Sequence, residues 1–167
     1  IDKYGSEPYH AFIFDEATAD FQTITIQGED IYKISDPKKT AQLLNFTLDG
    51  SGKKYITDDY QKLPQRVINV VHVLMKIEIA NLTLKNALIS SESIAKKIHT
   101  AMRNNAEINS LGVEILGILI LAILPSKETA RALEATAREQ ILKEADDAIY
   151  VRRNASVEHE RSIKENE

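Results

Sequence analysis

The sequence predicts an α+β fold, a mainly antiparallel sheet with packed helices that continues into a long C-terminal helix. Three observations carry this expectation. Apolar residues alternate in the stretch from Tyr9 to Ile34, as half-buried strands require. Apolar residues recur at three- and four-residue spacing from Val67 to Ile79, as a core-facing helix requires. From Lys127 to Glu167 neither Gly nor Pro interrupts the chain.

Taken in order, Phe12 and Phe14 share one side of a first strand. Ile24, Ile26, Tyr32 and Ile34 share one parity of a second, with Gly28 between them and a turn near Thr18-Ala19-Asp20. Asp36-Pro37 then supplies a cap and a first-turn proline for a two-turn helix over Lys38 to Asn45, whose apolar side is Ala41, Leu43 and Leu44. Asp49 to Lys54 is polar with two glycines and reads as a surface loop. Pro64 is expected to open the next helix at its first turn, with Val67, Val70, Val71, Leu74, Met75, Glu78 and Ile79 on one face. A shorter helical piece around Leu82 to Leu88 ends at Ser90-Ser91. There a serine cap, Ser91 or Ser93, starts a helix bearing Ile94, Ile98, Ala101, Met102 and Ile108, stopped by Gly112.

Val113 to Leu124 places β-branched residues or Leu on both parities, which predicts a strand inside the sheet and buried on both faces. On that expectation an Asp at Leu119 or Leu121 unfolds the domain. Pro125 breaks the strand, Ser126 is an N-cap with Glu128 in the first turn, and about 40 helical residues follow. At about 1.5 Å per residue that helix is about 60 Å long, more than a small domain covers, so it is expected to project as an arm. Its seam runs through Ala130, Leu133, Ala137, Ile141, Ala145, Ala148, Arg152 and Ala155, with charges of both signs elsewhere. A helix of this kind is stabilised mainly by packing its face on a partner. The widest apolar stretch, Ile141, Ala145, Ala148 and Ile149 with Arg152 beside it, is therefore the expected oligomer interface, most simply with another copy of the same helix.

Composition narrows the function. The 167 residues carry 21 Lys plus Arg against 25 Asp plus Glu, with no dense basic block, so no nucleic-acid partner is expected. The chain has no Cys, which excludes disulfides, thiolate metal ligands and a Cys nucleophile. Trp is absent and aromatics are only 6%, which argues against stacking platforms for sugars or bases. The apolar run Ile115 to Leu124 is about half of the roughly 20 residues a spanning helix needs. Ile1 to Gly5 shows neither an initiator Met nor the order of a signal peptide, so the chain is expected to be a piece of something longer.

No catalytic, cofactor or metal site is expected. Ser93-Ile94-Ala95-Lys96 has the Ser-x-x-Lys spacing of a nucleophile one turn from its base, which admits a Ser-Lys type hydrolase as the rival reading. The companion Ser-Asp-Asn and Lys-Thr-Gly elements are missing, and capping serines with an exposed Lys explain the letters. His10, His72, His99 and His159 are at least 27 positions apart and none sits at a zinc-helix spacing. His72 reads as a half-buried residue satisfied by a neighbour. Asp58-Asp59 and Asp146-Asp147 are sequence neighbours that do not face each other on a helix, and so read as a cap and a solvated face. Gly50-Ser51-Gly52-Lys53 lacks the first Gly and the Ser or Thr of a phosphate loop. Arg152-Arg153 reads as an exposed charged surface.

Two segments together resemble the SPFH superfamily, also called band 7 or prohibitin-homology, which includes stomatins, prohibitins and flotillins. Phe12 to Gly28, continuing through Tyr32-Lys33-Ile34-Ser35-Asp36-Pro37, looks like the family's long strand and its Asp-Pro helix start. Leu111 to Pro125, then Glu128, Ala132-Leu133-Glu134-Ala135 and Glu144 to Ala155, resembles its final strand and the opening of its coiled coil in bacterial stomatin/prohibitin-like proteins. The resemblance runs from about residue 9 to the end and is weakest at Gly50 to Tyr60. It implies an SPFH (band 7) globular domain over 1–125 and the start of a C-terminal coiled-coil helix over 126–167. It also implies a membrane-associated scaffold, expected at the cytoplasmic face, held through an N-terminal segment not contained in this chain and assembling into rings or cages. Some such relatives bear the name membrane protease subunit because they associate with and restrain proteases. The expected function is thus a non-enzymatic homo-oligomeric scaffold that organises a membrane patch or regulates a membrane protein such as a protease. A soluble adaptor whose arm docks a client helix is the other alternative.

Overall fold

Alternating apolar residues need one covered side, and the first two strands meet that need as a pair. In the computed structural model, which describes residues 9–166, β1 (Tyr9–Ala17) and β2 (Thr23–Ile34) run antiparallel, with Phe12 opposite Gly28 and Phe14 opposite Ile26. β3 (Val113–Pro125) adds antiparallel to the other side of β2, so the sheet order is β1-β2-β3. The register of β2 and β3 shifts at Gln27/Gly28 and at Ile31/Tyr32. Gly28 sits at the first shift because a Cβ there would meet the Leu119 carbonyl oxygen and the Phe12 ring.

β2 leads into α1 (Pro37–Leu43), where the Asp36 carboxylate accepts from the Lys38 and Lys39 amides at 3.2 and 3.3 Å. The apolar side read from the sequence is only partly right. Leu44 is buried, whereas Ala41 and Leu43 are exposed, and Thr40 turns inward to donate its hydroxyl to the Leu111 carbonyl at 2.7 Å. The Gly112 carbonyl accepts from the Ser35 and Asp36 amides. Gly112 itself has φ +70, and a Cβ there would strike the Asp36 carbonyl, so glycine closes this junction between the β2 exit and the β3 entry.

α2 (Asp59–Ala80) begins five residues before Pro64, not at it. Its start is held by the Asp59 carboxylate, which accepts from the Asn45 amide at 2.8 Å and the Lys62 ammonium at 2.6 Å. Pro64 lies in the first turn and a half of the helix, and the one amide it lacks would have served the carbonyl of Tyr60. Glu78, placed on the core face by spacing, instead pairs with Lys97 at 2.6 Å. α3 (Leu84–Ile89) follows, capped by Thr83. α4 (Ser91–Arg103) has Ser90 at its N-cap and no side-chain cap, so neither Ser91 nor Ser93 caps it. The single helix expected through Ile108 is broken at Asn104-Asn105, because the Asn105 side chain accepts from the Ile108 amide and starts α5 (Ala106–Ser110).

α2 packs on β1, α4 on β3, and the two helices touch each other, covering one face of the sheet. Ile24, Ile26, Val67, Val71, Met75, Ile79 and Met102 are wholly inaccessible there, each stabilising by about 1.5–3 kcal/mol. β3 corrects the expectation of two-sided burial. Val113, Ile115 and Ile118 are buried, but Leu116, Leu119, Leu121 and Leu124 are 44–64% exposed. The strand lies at the sheet edge and helices cover only one of its faces, so the outward leucines have no layer over them among the described residues.

The chain divides into two compact units, Ile1–Pro125 and Ser126–Glu167. The second consists of α6 (Lys127–Glu165), whose cap is the Ser126 hydroxyl accepting from the Thr129 amide at 3.2 Å, and it has no buried residue. No helix among the described residues is long and apolar enough to cross a membrane.

Candidate functional site

The residues that resembled catalytic or ligand-binding sets take structural positions. Ser93 is exposed on α4, and the Lys96 ammonium pairs with Glu92 at 3.0 Å on an exposed face. No described hydrogen bond joins Lys96 to Ser93. His72 on α2 donates its Nε2 to Glu16 of β1 at 2.6 Å and stacks on Phe14 at 4.2 Å, which ties the helix to the strand. His99 donates to the Ile115 carbonyl at 3.1 Å. Among the described residues no three His, Cys, Asp or Glu side chains gather where they would hold a metal. In the Gly50 to Lys53 loop the Asp49 carboxylate accepts from the Ser51 and Lys53 amides and from the Ser51 hydroxyl, filling the place an anion would take. The Ser51 hydroxyl in particular holds the Asp49 carboxyl below its usual range.

One buried ionisable group was not singled out by motif reading. Asp30 is fully inaccessible, faces His10 across the β1–β2 ladder, and neither carboxylate oxygen has a hydrogen-bond partner. Loss of hydration pushes its carboxyl up to about 7. Tyr32, two residues on and stacked on His10 at 4.9 Å, is raised by burial and then by the Asp30 charge. The signal was parity: Asp30 stands in the same inward register as Ile24, Ile26, Gly28 and Tyr32.

The expected interface residues share one stripe of α6. Ile141 is 65% and Ile149 49% exposed, and Ala145, Ala148 and Arg152 are exposed between and beyond them. Leu142, also exposed, lies on the same side, two turns before Ile149 and one before Ala145, whereas exposed Val151 lies on the other flank beside Ala148.

Comparison with known proteins supplies the family. The model of the SPFH domain / Band 7 family matches residues 10–158, which spans the sheet, the helices packed on it and most of α6. Among curated proteins none matches the chain.

Proposed function

The chain belongs to the SPFH domain / Band 7 family, and from that premise we propose that it acts as a non-enzymatic scaffold which oligomerises to organise membrane patches or to regulate a membrane protein such as a protease. Proteins of this family are in general membrane-associated scaffolds and not enzymes. The observation that carries the finer reading is α6, 39 helical residues with none buried and with Ile141, Ala145, Ala148, Ile149 and Arg152 on one stripe. A helix stabilised by so little of its own chain gains from a partner. Alanines permit close approach but bury little area each, so a single pair of arms associates weakly and many copies on one membrane associate strongly.

Cysteines introduced at Ala145 or Ala148 of the membrane-bound native protein test this. Dimers and ladders on oxidation are expected, with far less product from a cysteine at Glu139 on the opposite side of the helix. Monomers only from the first two, with equal or greater crosslinking at Glu139, would remove the assignment of the interface.

A further inference from the structure

β3 has a strand on one side only. β2 pairs with it there, and among the described residues Gly117 to Ile120 make no backbone bond beyond that ladder. The two register shifts bracket this stretch, so Gly117 to Ile120 pair regularly with Ile31 to Gly28. A Cβ at Gly28 would collide with the Leu119 carbonyl oxygen, so that carbonyl points at β2. Backbone groups alternate in direction along a strand, and the N–H and C=O of Ile118 and Ile120 therefore point to the open edge. Natural sheet edges are blunted by charge, proline or a covering element, yet from Ile115 to Leu124 the chain has neither a charged residue nor a proline.

A groove of about 360 Å³ runs beside the same stretch, lined by Gly117 to Ile120 and walled by Ala95 and His99 of α4. No residue of β2 lines it, and it touches both inward Ile118 and outward Leu119, which places it along the free edge. His99 already holds the Ile115 carbonyl, so the open backbone begins beyond that residue. An open row of backbone donors and acceptors is matched by another extended backbone. Lys96 on the rim is paired with Glu92 at 3.0 Å, so the wall offers no free charge to an anion or a lipid headgroup. A second copy pairing antiparallel through β3 would be related by an axis normal to the sheet. It would bring its own α4 to the same face at the same edge, where α4 already stands. A single extended segment meets no such obstacle.

We infer that β3 takes an extended segment of another protein as a fourth strand, seated between its edge and α4 and held by backbone pairing at Ile118 and Ile120. The segment is uncharged and apolar at alternate positions. One set of its side chains lies beside exposed Leu119, and the other lies against the small Ala95. The contact rests on the reading that this chain regulates another protein, and it names the chemistry by which that protein is held.

The test is binding of a fluorescein-labelled peptide of alternating valine and threonine to the 167-residue chain, read by anisotropy. A contact carried by backbone needs no sequence beyond the alternation. The peptide is expected to bind, and the same peptide N-methylated at every residue is expected not to, because it has no backbone donors. Amide exchange at Ile118 and Ile120 should be fast in the free chain and slow with the peptide. Ile120→Pro, which removes one edge amide, should weaken binding about fivefold. Ala95→Trp, which fills the groove and leaves the strand unaltered, should abolish it. Circular dichroism melting checks that the variants fold, and Ala95→Trp alone serves if the proline variant melts early. No binding, equal binding of the N-methylated peptide, or unchanged binding by the folded variants overturns the proposal. So does slowing of exchange at Ile118 and Ile120 as the concentration of the chain alone rises, which would give the edge to a second copy. Absence of peptide binding while arm crosslinking persists removes only this contact, whereas peptide binding without arm crosslinking removes the oligomeric scaffold and not the edge site.

Discussion

Asp30→Asn is the most discriminating single substitution in the sheet. The carboxyl is wholly inaccessible and unbonded, and desolvation raises it from 3.8 to about 7. At about 1.4 kcal/mol per pH unit, that shift makes the folded state up to about 4 kcal/mol less stable with Asp30 ionised than with it protonated, a large part of a typical domain stability. The sign follows from proton counts. Between pH 4 and 7 the unfolded chain has lost the Asp30 proton and the folded chain has kept it, so stability is highest below pH 4 for this group and falls as pH rises to 7. Above pH 7 both states are ionised and the loss levels off. Urea titrations of the wild type and Asp30→Asn at half-unit steps from pH 4.5 to 8.5 read the difference directly, since groups common to both chains largely cancel. The variant should gain on the wild type by about 1.4 kcal/mol per unit up to pH 7, then hold a constant lead. His10 across the ladder is kept in both chains, and repeating the series with His10→Asn separates its charge from the desolvation of Asp30. A difference that is flat across this range would refute the argument that Asp30 is buried without compensation.

Other substitutions probe the sheet and the discounted catalytic motif. Gly28→Ala should lose about 3 kcal/mol in chemical denaturation, because the methyl group meets the Leu119 carbonyl and the Phe12 ring; an unchanged midpoint would mean that the register shift relaxes at no cost. Leu121→Asp should change stability by less than about 0.5 kcal/mol, while Ile115→Asp should unfold the domain, and similar melting of the two would contradict the one-sided burial of β3. Ser93→Ala should leave melting within about 0.5 kcal/mol and reaction with serine-directed probes unchanged; probe labelling of the wild type that the variant loses would revive the Ser-Lys hydrolase.

The features legible in the sequence are those governed by neighbours along the chain. Strand parity gave the β1–β2 hairpin and its inward set, because a pleated strand turns successive side chains to opposite faces whatever lies beyond it. Asp36 and Ser126 were legible as caps for the same kind of reason, since a cap satisfies amides two or three residues away. The arm face could be traced from spacing alone, though spacing does not say what covers it.

Tertiary structure decided whatever depends on a residue far along the chain. An apolar run such as Val113 to Leu124 reads the same in a central strand as at an edge, and only the order β1-β2-β3 with helices on one face leaves Leu119 and Leu121 outside. Pro64 was a sound start signal, yet the Asn45 amide and Lys62 gathered at Asp59 stabilise an earlier start. Asp30 has an ordinary letter in an alternating strand; parity turns it inward, but its complete burial is a product of packing, and that burial pushes the carboxyl from its ordinary range up to about 7.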